Sequence, residues 1–331
     1  MTQKYRCPIC GEIYDDMSQD GFCSKAECYG VGLLETYDDS SASSVDISGK
    51  ESISIDSDKI GLCVLVCDAS GSMETPAFPG NPATRVRLVA NAAAAGISDL
   101  YAGSDVSEQT FSKPEEAYIA IVAFGETAAL IKGKSGELFI KTVAQIQNDF
   151  PMREDLAEFL YHSLTDECPV DRGYTDITKA LMLAKKIQTA AIEGDFSAYG
   201  ISGDFRVMEH ELIEKETNQM LSVPNTRILI YSDGGHNPGD RTPLENPFET
   251  EELSTLMTSF FGNPDSSDTI ERKGADEMRT MACLCPKHKM TGYFLINTPQ
   301  RYAMLRGLFR MASGASGFCP ACLKDVGLGD S

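Results

Sequence analysis

"CVLVCDASGSM", residues 63–73, is an apolar run that gives way to oxygen-bearing side chains at every second position, Asp68, Ser70 and Ser72. With the residues just before it, "IGLCVLVCD" has the length and unbroken apolarity of a central strand covered on both faces. On either side the chain alternates between strand-like and helix-like segments. Residues 84–102, "TRVRLVANAAAAGISDLYA", are alanine-rich with helical apolar spacing. "AYIAIVAFG" (117–125) reads as a second buried strand and "TRILIYSDGG" (226–235) as a third, ending in Asp and Gly. Residues 137–150, 152–164, 175–192 and 300–312 read as helices, and "MTGYFLIN" (290–297) as a strand. This alternation predicts an α/β fold, a doubly wound and mostly parallel sheet with helices on both faces. Residues 193–222 are acidic and partly helical by composition, and are expected to be a surface insertion.

A chain of 331 residues can bury a full core, as one large domain or one with small attachments. No apolar run approaches the roughly 20 residues that cross a bilayer. The start, "MTQKYRCPIC", lacks the apolar core of a secretory signal, so a soluble, cytoplasmic protein is expected. The formal net charge of -20, from 49 acidic and 29 basic residues, repels phosphate backbones, and no local basic cluster offsets it. Neither a nucleic acid nor a membrane is expected as a partner.

Cysteine grouping divides the chain. Six of the eleven cysteines lie in short Cys-x-x-Cys/His or Cys-x-Cys clusters, the pattern of metal knuckles in a reducing compartment. Residues 1–35 carry Cys7, Cys10, Cys23 and Cys28 and too few apolar residues for a core of their own. Four thiolates on two short turns suit tetrahedral Zn2+, which can supply the missing folding energy. This module resembles a zinc ribbon. Its first half, "YRCPICGEIYD", also looks like an iron-binding rubredoxin knuckle, but "CSKAEC" departs from that pattern, so zinc is preferred. Residues 36–58, rich in Ser and Asp, read as a solvated linker, with "SISI" (52–55) open as a short edge strand. The main domain then occupies 59–331. Within it "CPKH" and "CPAC" place Cys285, His288, Cys319 and Cys322 as a possible second zinc site clipping the C-terminal region over 285–322, with Cys283 able to replace one ligand. Cys63 and Cys67 read as small buried hydrophobes, and Cys168 has no assigned role.

Three polar loops follow strands or precede a helix: "DASGS" (68–72), "GYTDI" (173–177) and "SDGG" (232–235). Doubly wound sheets bind ligands outside the carboxyl ends of their strands. Alternate oxygens in the first loop can face one centre, as a hard cation requires; taken alone, such a loop more often caps a helix or closes a turn. Together the loops resemble the metal-ion-dependent adhesion site of the von Willebrand factor A family, whose Asp-x-Ser-x-Ser, separate Thr and separate Asp match Asp68, Ser70, Ser72, Thr175 and Asp233. The resemblance extends to "VAFGETA" (122–128), "GYTDITKAL" (173–181) and "LFRMASGASG" (308–317), covering most of 59–318.

That resemblance implies a Mg2+ ion, or Mn2+ or Ca2+ in its place. Ser70, Ser72 and often Thr175 would bind it directly, and Asp68 and Asp233 through water. The open position would take an Asp or Glu from a protein partner. Intracellular bacterial members of the family often act as adaptors beside AAA+ ATPases, chelatases, or the kinases and phosphatases of stress, tellurium-resistance and phage-defence systems. The expected function is therefore a metal-dependent protein-binding adaptor, or alternatively an accessory subunit of such an ATPase or kinase–phosphatase system, or a metal-dependent hydrolase. A catalytic role is not expected. The four histidines, His162, His210, His236 and His288, sit in no catalytic motif, and phosphate loops, Gly-x-Ser-x-Gly elbows and His-Glu-x-x-His helices are missing. His236, after "SDGG", reads as a solvated loop histidine.

Overall fold

The structure, a computed structural model, describes residues 4–7, 12–18, 21–25, 28, 33–37, 61–100, 117–201, 209–213, 220–224, 226–249, 256–285, 288–312 and 319–325. The N-terminal module is a three-stranded antiparallel sheet of β1 (Lys4–Arg6), β2 (Ile13–Tyr14) and β3 (Glu35–Tyr37), with β1 in the middle. Strand β3 runs past the expected boundary at residue 35, so Thr36 and Tyr37 belong to the module. The rest of the proposed linker, including "SISI", lies outside the described residues.

The main sheet begins with β4 (Gly61–Asp68) and β5 (Ala117–Phe124), which pair in parallel with Val64 opposite Ala120. Two short strands, β6 (Ala128–Leu130) and β7 (Ile140–Thr142), run antiparallel to β5 at one edge. An antiparallel ribbon of β8 (Glu209–Ile213) and β9 (Met220–Pro224) then precedes β10 (Thr226–Ser232), β11 (Leu256–Phe261) and β12 (Tyr293–Ile296). These last three complete a parallel order β12-β11-β10-β4-β5.

Period-two alternation gives each strand two buried faces. Cys63, Leu65 and Cys67 face one core layer, built with Val86, Val89 and Ala93 of α1 (Arg85–Ser98). Helices α2 (Val143–Asp149) and α3 (Arg153–Leu164) add Ile146 and Leu160 to that layer. Leu62, Val64 and Val66 face the other, against Ile177, Leu181 and Ala184 of α4 (Ile177–Glu193) and Ala275 and Met278 of α5 (Thr269–Met281). Helix α6 (Pro299–Ala312) sends Tyr302, Leu305 and Phe309 into the first layer, and the short α7 (Pro320–Asp325) adds Leu323. Two helix layers around a parallel sheet make the doubly wound α/β fold. Among the described residues no helix is long and apolar enough to cross a membrane.

Local chemistry explains where the sequence reading missed. Residues 137–150 are not one helix: the capping box of Thr142 and Gln145 starts α2 at Val143, and Ile140 and Thr142 are buried on alternate positions of an edge strand. Within the insertion expected over 193–222, the described residues include a short 3-10 turn (Ser197–Tyr199) and the ribbon β8–β9; 202–208 and 214–219 lie outside the described residues. Strand β11 was not expected because Thr258 and Ser259 interrupt its apolar run, yet both are fully buried, and the Thr258 hydroxyl donates to the Met278 carbonyl at 2.7 Å.

The cysteine-bearing module is seated on the main domain. Phe22 and Leu33 are buried in the α1/α6 layer, with the Phe22 ring centroid 6.3 Å from that of Tyr302. Asn81 Nδ2 donates to the carbonyls of Gly21 and Leu34, each at 3.1 Å. Gly21 has a left-handed backbone (φ +79°), and a Cβ there would lie 2.3 Å from Asn81 Oδ1, so only glycine fits.

Candidate functional site

Strand order reverses between β4 and β10: the chain leaves β4 toward β5 on one side and returns to β10 on the other. Loops leaving the carboxyl ends of these two strands therefore diverge and open a crevice. Asp68 ends β4 and Asp233 directly follows β10, so the topology alone brings the two carboxylates to one place.

A chain of hydrogen bonds joins them. Asp68 Oδ1 accepts from the Ser70 amide at 2.8 Å, and Asp68 Oδ2 accepts from Ser232 Oγ at 2.6 Å. Ser70 Oγ and Ser72 Oγ are 3.1 Å apart, and Ser72 Oγ donates to Asp233 Oδ1 at 2.8 Å. The backbone after Ser70 tightens into a 3-10 turn, Gly71–Glu74, whose Met73 is fully buried beneath the loop.

The third loop closes from α4. Arg172 accepts the Gly71 amide on its carbonyl at 3.2 Å and donates Nε to the Ala69 carbonyl at 2.5 Å. Thr175 is buried and exchanges two backbone hydrogen bonds with Asn237, 3.2 and 2.8 Å, which tie it to the loop carrying Asp233. Gly125, after β5, makes room for this loop: the Asp176 amide donates to its carbonyl at 2.7 Å, and a Cβ there would meet the Asp171 carbonyl at 2.1 Å. Asp68, Ser70, Ser72 and Asp233 thus form one hydrogen-bonded set, with Thr175 on a loop bonded to both of its neighbours.

Electrostatics favours a cation here. Asp68 is 1% exposed and Asp233 7%. Burial, and next the charge of Asp233, push the Asp68 carboxyl up to about 7, while bonds from Ser232 and Ser70 work in the other direction. Two carboxylates and three hydroxyls, all oxygen, fit a hard divalent ion, which would offset the repulsion between the acids.

Two further participants were not among the expected ligands. Arg85, the first residue of α1, bonds Asp233 Oδ2 through Nη1. Ser232, the last residue of β10, is fully buried against Asp68. His236 corrects an expectation: it is not solvated but 4% exposed, with Nε2 2.9 Å from the Thr242 carbonyl and Nδ1 3.9 Å from Asp176 Oδ1. Glu277 and Lys273 of α5 hold its backbone at 2.7 and 3.1 Å, pulling the loop onto the helix.

The sulfur ligands form two groups. Cys7, Cys23 and Cys28 have ligand atoms within 4.8 Å of one another; Cys10 lies outside the described residues. Cys285, His288, Cys319 and Cys322 form the second such group. Either group could hold a metal ion. Cys283 is buried nearby but not part of the group, and none of the ten described cysteines is in a disulfide. Cys63 and Cys67 are buried in the core, as expected.

No family model and no curated protein matches the sequence. Among solved structures, the chain is similar to a von Willebrand factor type A protein from Catenulispora acidiphila, at 14% identity and a TM-score of 0.42, over 77% of this chain and 43% of that one. It is also similar to proximal thread matrix protein 1 of the mussel byssus, solved with a zinc-occupied MIDAS motif, at 13% identity and a TM-score of 0.38, over 77% of this chain and 48% of that one. A third is the conserved hypothetical protein BatB from Bacteroides thetaiotaomicron, at 11% identity and a TM-score of 0.35, over 76% of this chain and 98% of that one. This chain spans less than half the length of the first two.

Proposed function

We propose that the crevice between β4 and β10 binds a divalent cation, Mg2+ in the cell, and through it an acidic side chain of a protein partner. One observation carries this reading: buried Asp68, Ser70 and Asp233 and exposed Ser72 form a single hydrogen-bonded oxygen set at the switch point, with Thr175 tied beside them. Neutral hydroxyls leave a bound Mg2+ electron-poor, and Mg2+ usually keeps exchangeable waters, so a carboxylate from outside can replace one. The chain acts as a non-catalytic adaptor in the reducing cytoplasm, alongside an ATPase, a kinase or a phosphatase.

The test is a Mn2+ titration followed by solvent proton relaxation. Asp68→Ala abolishes specific binding, and an acidic peptide lowers the enhancement by displacing bound water, whereas its amidated form does not. Equal Mn2+ binding by the parent chain and Asp68→Ala overturns the reading. Magnesium-dependent phosphatase, nucleotidase or protease turnover that Asp233→Ala abolishes makes the chain an enzyme instead.

A further inference from the structure

Four ligand atoms from two distant stretches meet at the edge of the main sheet. Cys285 and His288 lie in the turn between α5 and β12; Cys319 precedes α7, and Cys322 lies in its first turn. Cys285, Cys319 and Cys322 are buried and His288 is partly buried. The sulfur–sulfur distances are 3.6 Å for Cys285–Cys322 and 3.7 Å for Cys319–Cys322. His288 Nδ1 lies 3.7, 3.5 and 3.4 Å from the sulfurs of Cys285, Cys319 and Cys322.

Those edges describe a tetrahedron of a particular size. With metal–sulfur bonds of about 2.3 Å and metal–nitrogen bonds of about 2.0–2.1 Å, a tetrahedral zinc site has edges of about 3.8 Å between sulfurs and about 3.6 Å between sulfur and nitrogen. The observed edges fit both. Disulfides do not explain them, because a bonded pair would lie at about 2.05 Å. Nor do thiol hydrogen bonds. An imidazole nitrogen has one in-plane lone pair or one N–H, so it cannot bond three sulfurs at once, but it can point at their common centre.

We propose that Cys285, His288, Cys319 and Cys322 hold a structural Zn2+ ion, independent of the oxygen site. Three thiolates and one imidazole in a closed tetrahedron suit zinc and leave no position for substrate. Loading exchanges the three thiol protons for the ion, with the protons leaving to solvent, and His288 binds as the neutral imidazole through Nδ1. Backbone geometry is consistent with a metal knuckle. Lys289, directly after the histidine, has φ 55°, a left-handed conformation unusual for a lysine, and its amide donates to the Cys285 carbonyl at 2.8 Å. In "CPICG" of the N-terminal module the corresponding position is Gly11. Helix α7, six residues long, is too short to persist alone. The ion fastens it to the turn before the edge strand β12, with Leu323 buried in the core.

Metal analysis of the full chain by inductively coupled plasma mass spectrometry tests this. Cys319→Ser is expected to carry one equivalent of zinc fewer than the parent, and Cys23→Ser to leave this equivalent in place. His288→Cys keeps the count, because four sulfurs suit zinc equally well, and on cobalt substitution its visible d–d bands shift as a nitrogen ligand becomes sulfur. This second variant decides the matter even where Cys319→Ser does not fold. An unchanged zinc count in a folded Cys319→Ser, iron in place of zinc, or an unshifted cobalt spectrum in His288→Cys overturns the proposal.

Discussion

Arg85 and Ser232 each contact one of the two carboxylates, Asp233 and Asp68, with opposite consequences for a cation. Arg85 places a fixed positive charge on Asp233 Oδ2, where it competes with and repels a divalent ion. Replacing it with methionine keeps the apolar stem and removes the charge. Arg85→Met is therefore expected to tighten Mn2+ binding by about tenfold, close to 1.4 kcal/mol, in isothermal titration calorimetry. Weaker binding would instead mean that Arg85 orients Asp233 for the ion. Ser232 acts from behind: its hydroxyl donates to Asp68 Oδ2 at 2.6 Å and accepts from the Gly234 amide at 3.2 Å, fixing the carboxylate and the turn together. Groups that orient metal ligands typically carry 10–100-fold in affinity. Ser232→Ala should accordingly weaken Mn2+ binding by at least about tenfold, with the far-ultraviolet circular dichroism unchanged. Unaltered affinity would show that Asp68 is held well enough by the Ser70 amide alone.

At the scale of elements, the site depends on loops that approach closely enough to bond through their backbones. Gly125 is the tightest of these places. A methyl group there would meet the Asp171 carbonyl at 2.1 Å, so Gly125→Ala must move the loop that carries Thr175. Overpacking of this kind costs about 1–3 kcal/mol, which urea unfolding would register together with lost Mn2+ affinity; unchanged values for both would show that Thr175 tolerates displacement. Those elements that run unbroken were legible in the sequence. Residues 62–68 of β4, 119–124 of β5 and all of β10 are buried in unbroken runs, and α4 carries its Asp176 cap in the same "TDITKAL" that supplies Thr175. What escaped was decided by tertiary contact. Thr258 and Ser259 make β11 look like a loop until the Met278 carbonyl accepts the Thr258 hydroxyl and the neighbouring strands pair its backbone. His236 looks solvated until Glu277 and Lys273 draw its loop down. Arg85 starts a helix that any capped sequence could start, and its partner is 148 residues away.

For the whole molecule, the consequential contact is the one between the cysteine-bearing module and the main domain. A tethered ribbon would leave residues 59–331 as stable without it as with it. Instead Phe22 and Leu33 lie in the same core layer as α1 and α6, and Asn81, its Oδ1 held by the Ala83 amide, donates Nδ2 to two carbonyls across the junction. Among the described residues the module's own apolar cluster is small, with Leu34 and three cysteines at its centre and Tyr5 and Tyr14 around them. It therefore relies on the main domain for part of its core and gives some in return. Burying side chains the size of Phe22 and Leu33 contributes about 1.5–3 kcal/mol each, a large share of the stability of a typical domain. Three urea titrations follow from this. In the full chain, Phe22→Ala should lower the unfolding free energy by about 3–5 kcal/mol. Asn81→Ala, which takes a donor from each of two buried residues' carbonyls and leaves that of Gly21 with the Leu34 amide alone, should lower it by about 1–3 kcal/mol. Residues 59–331 alone should unfold at lower urea than the full chain, because the face around Tyr302 loses its cover. If the truncated chain keeps the parent's midpoint and slope, and Phe22→Ala leaves both unchanged, the module is a passenger and its burial against α6 carries no stability.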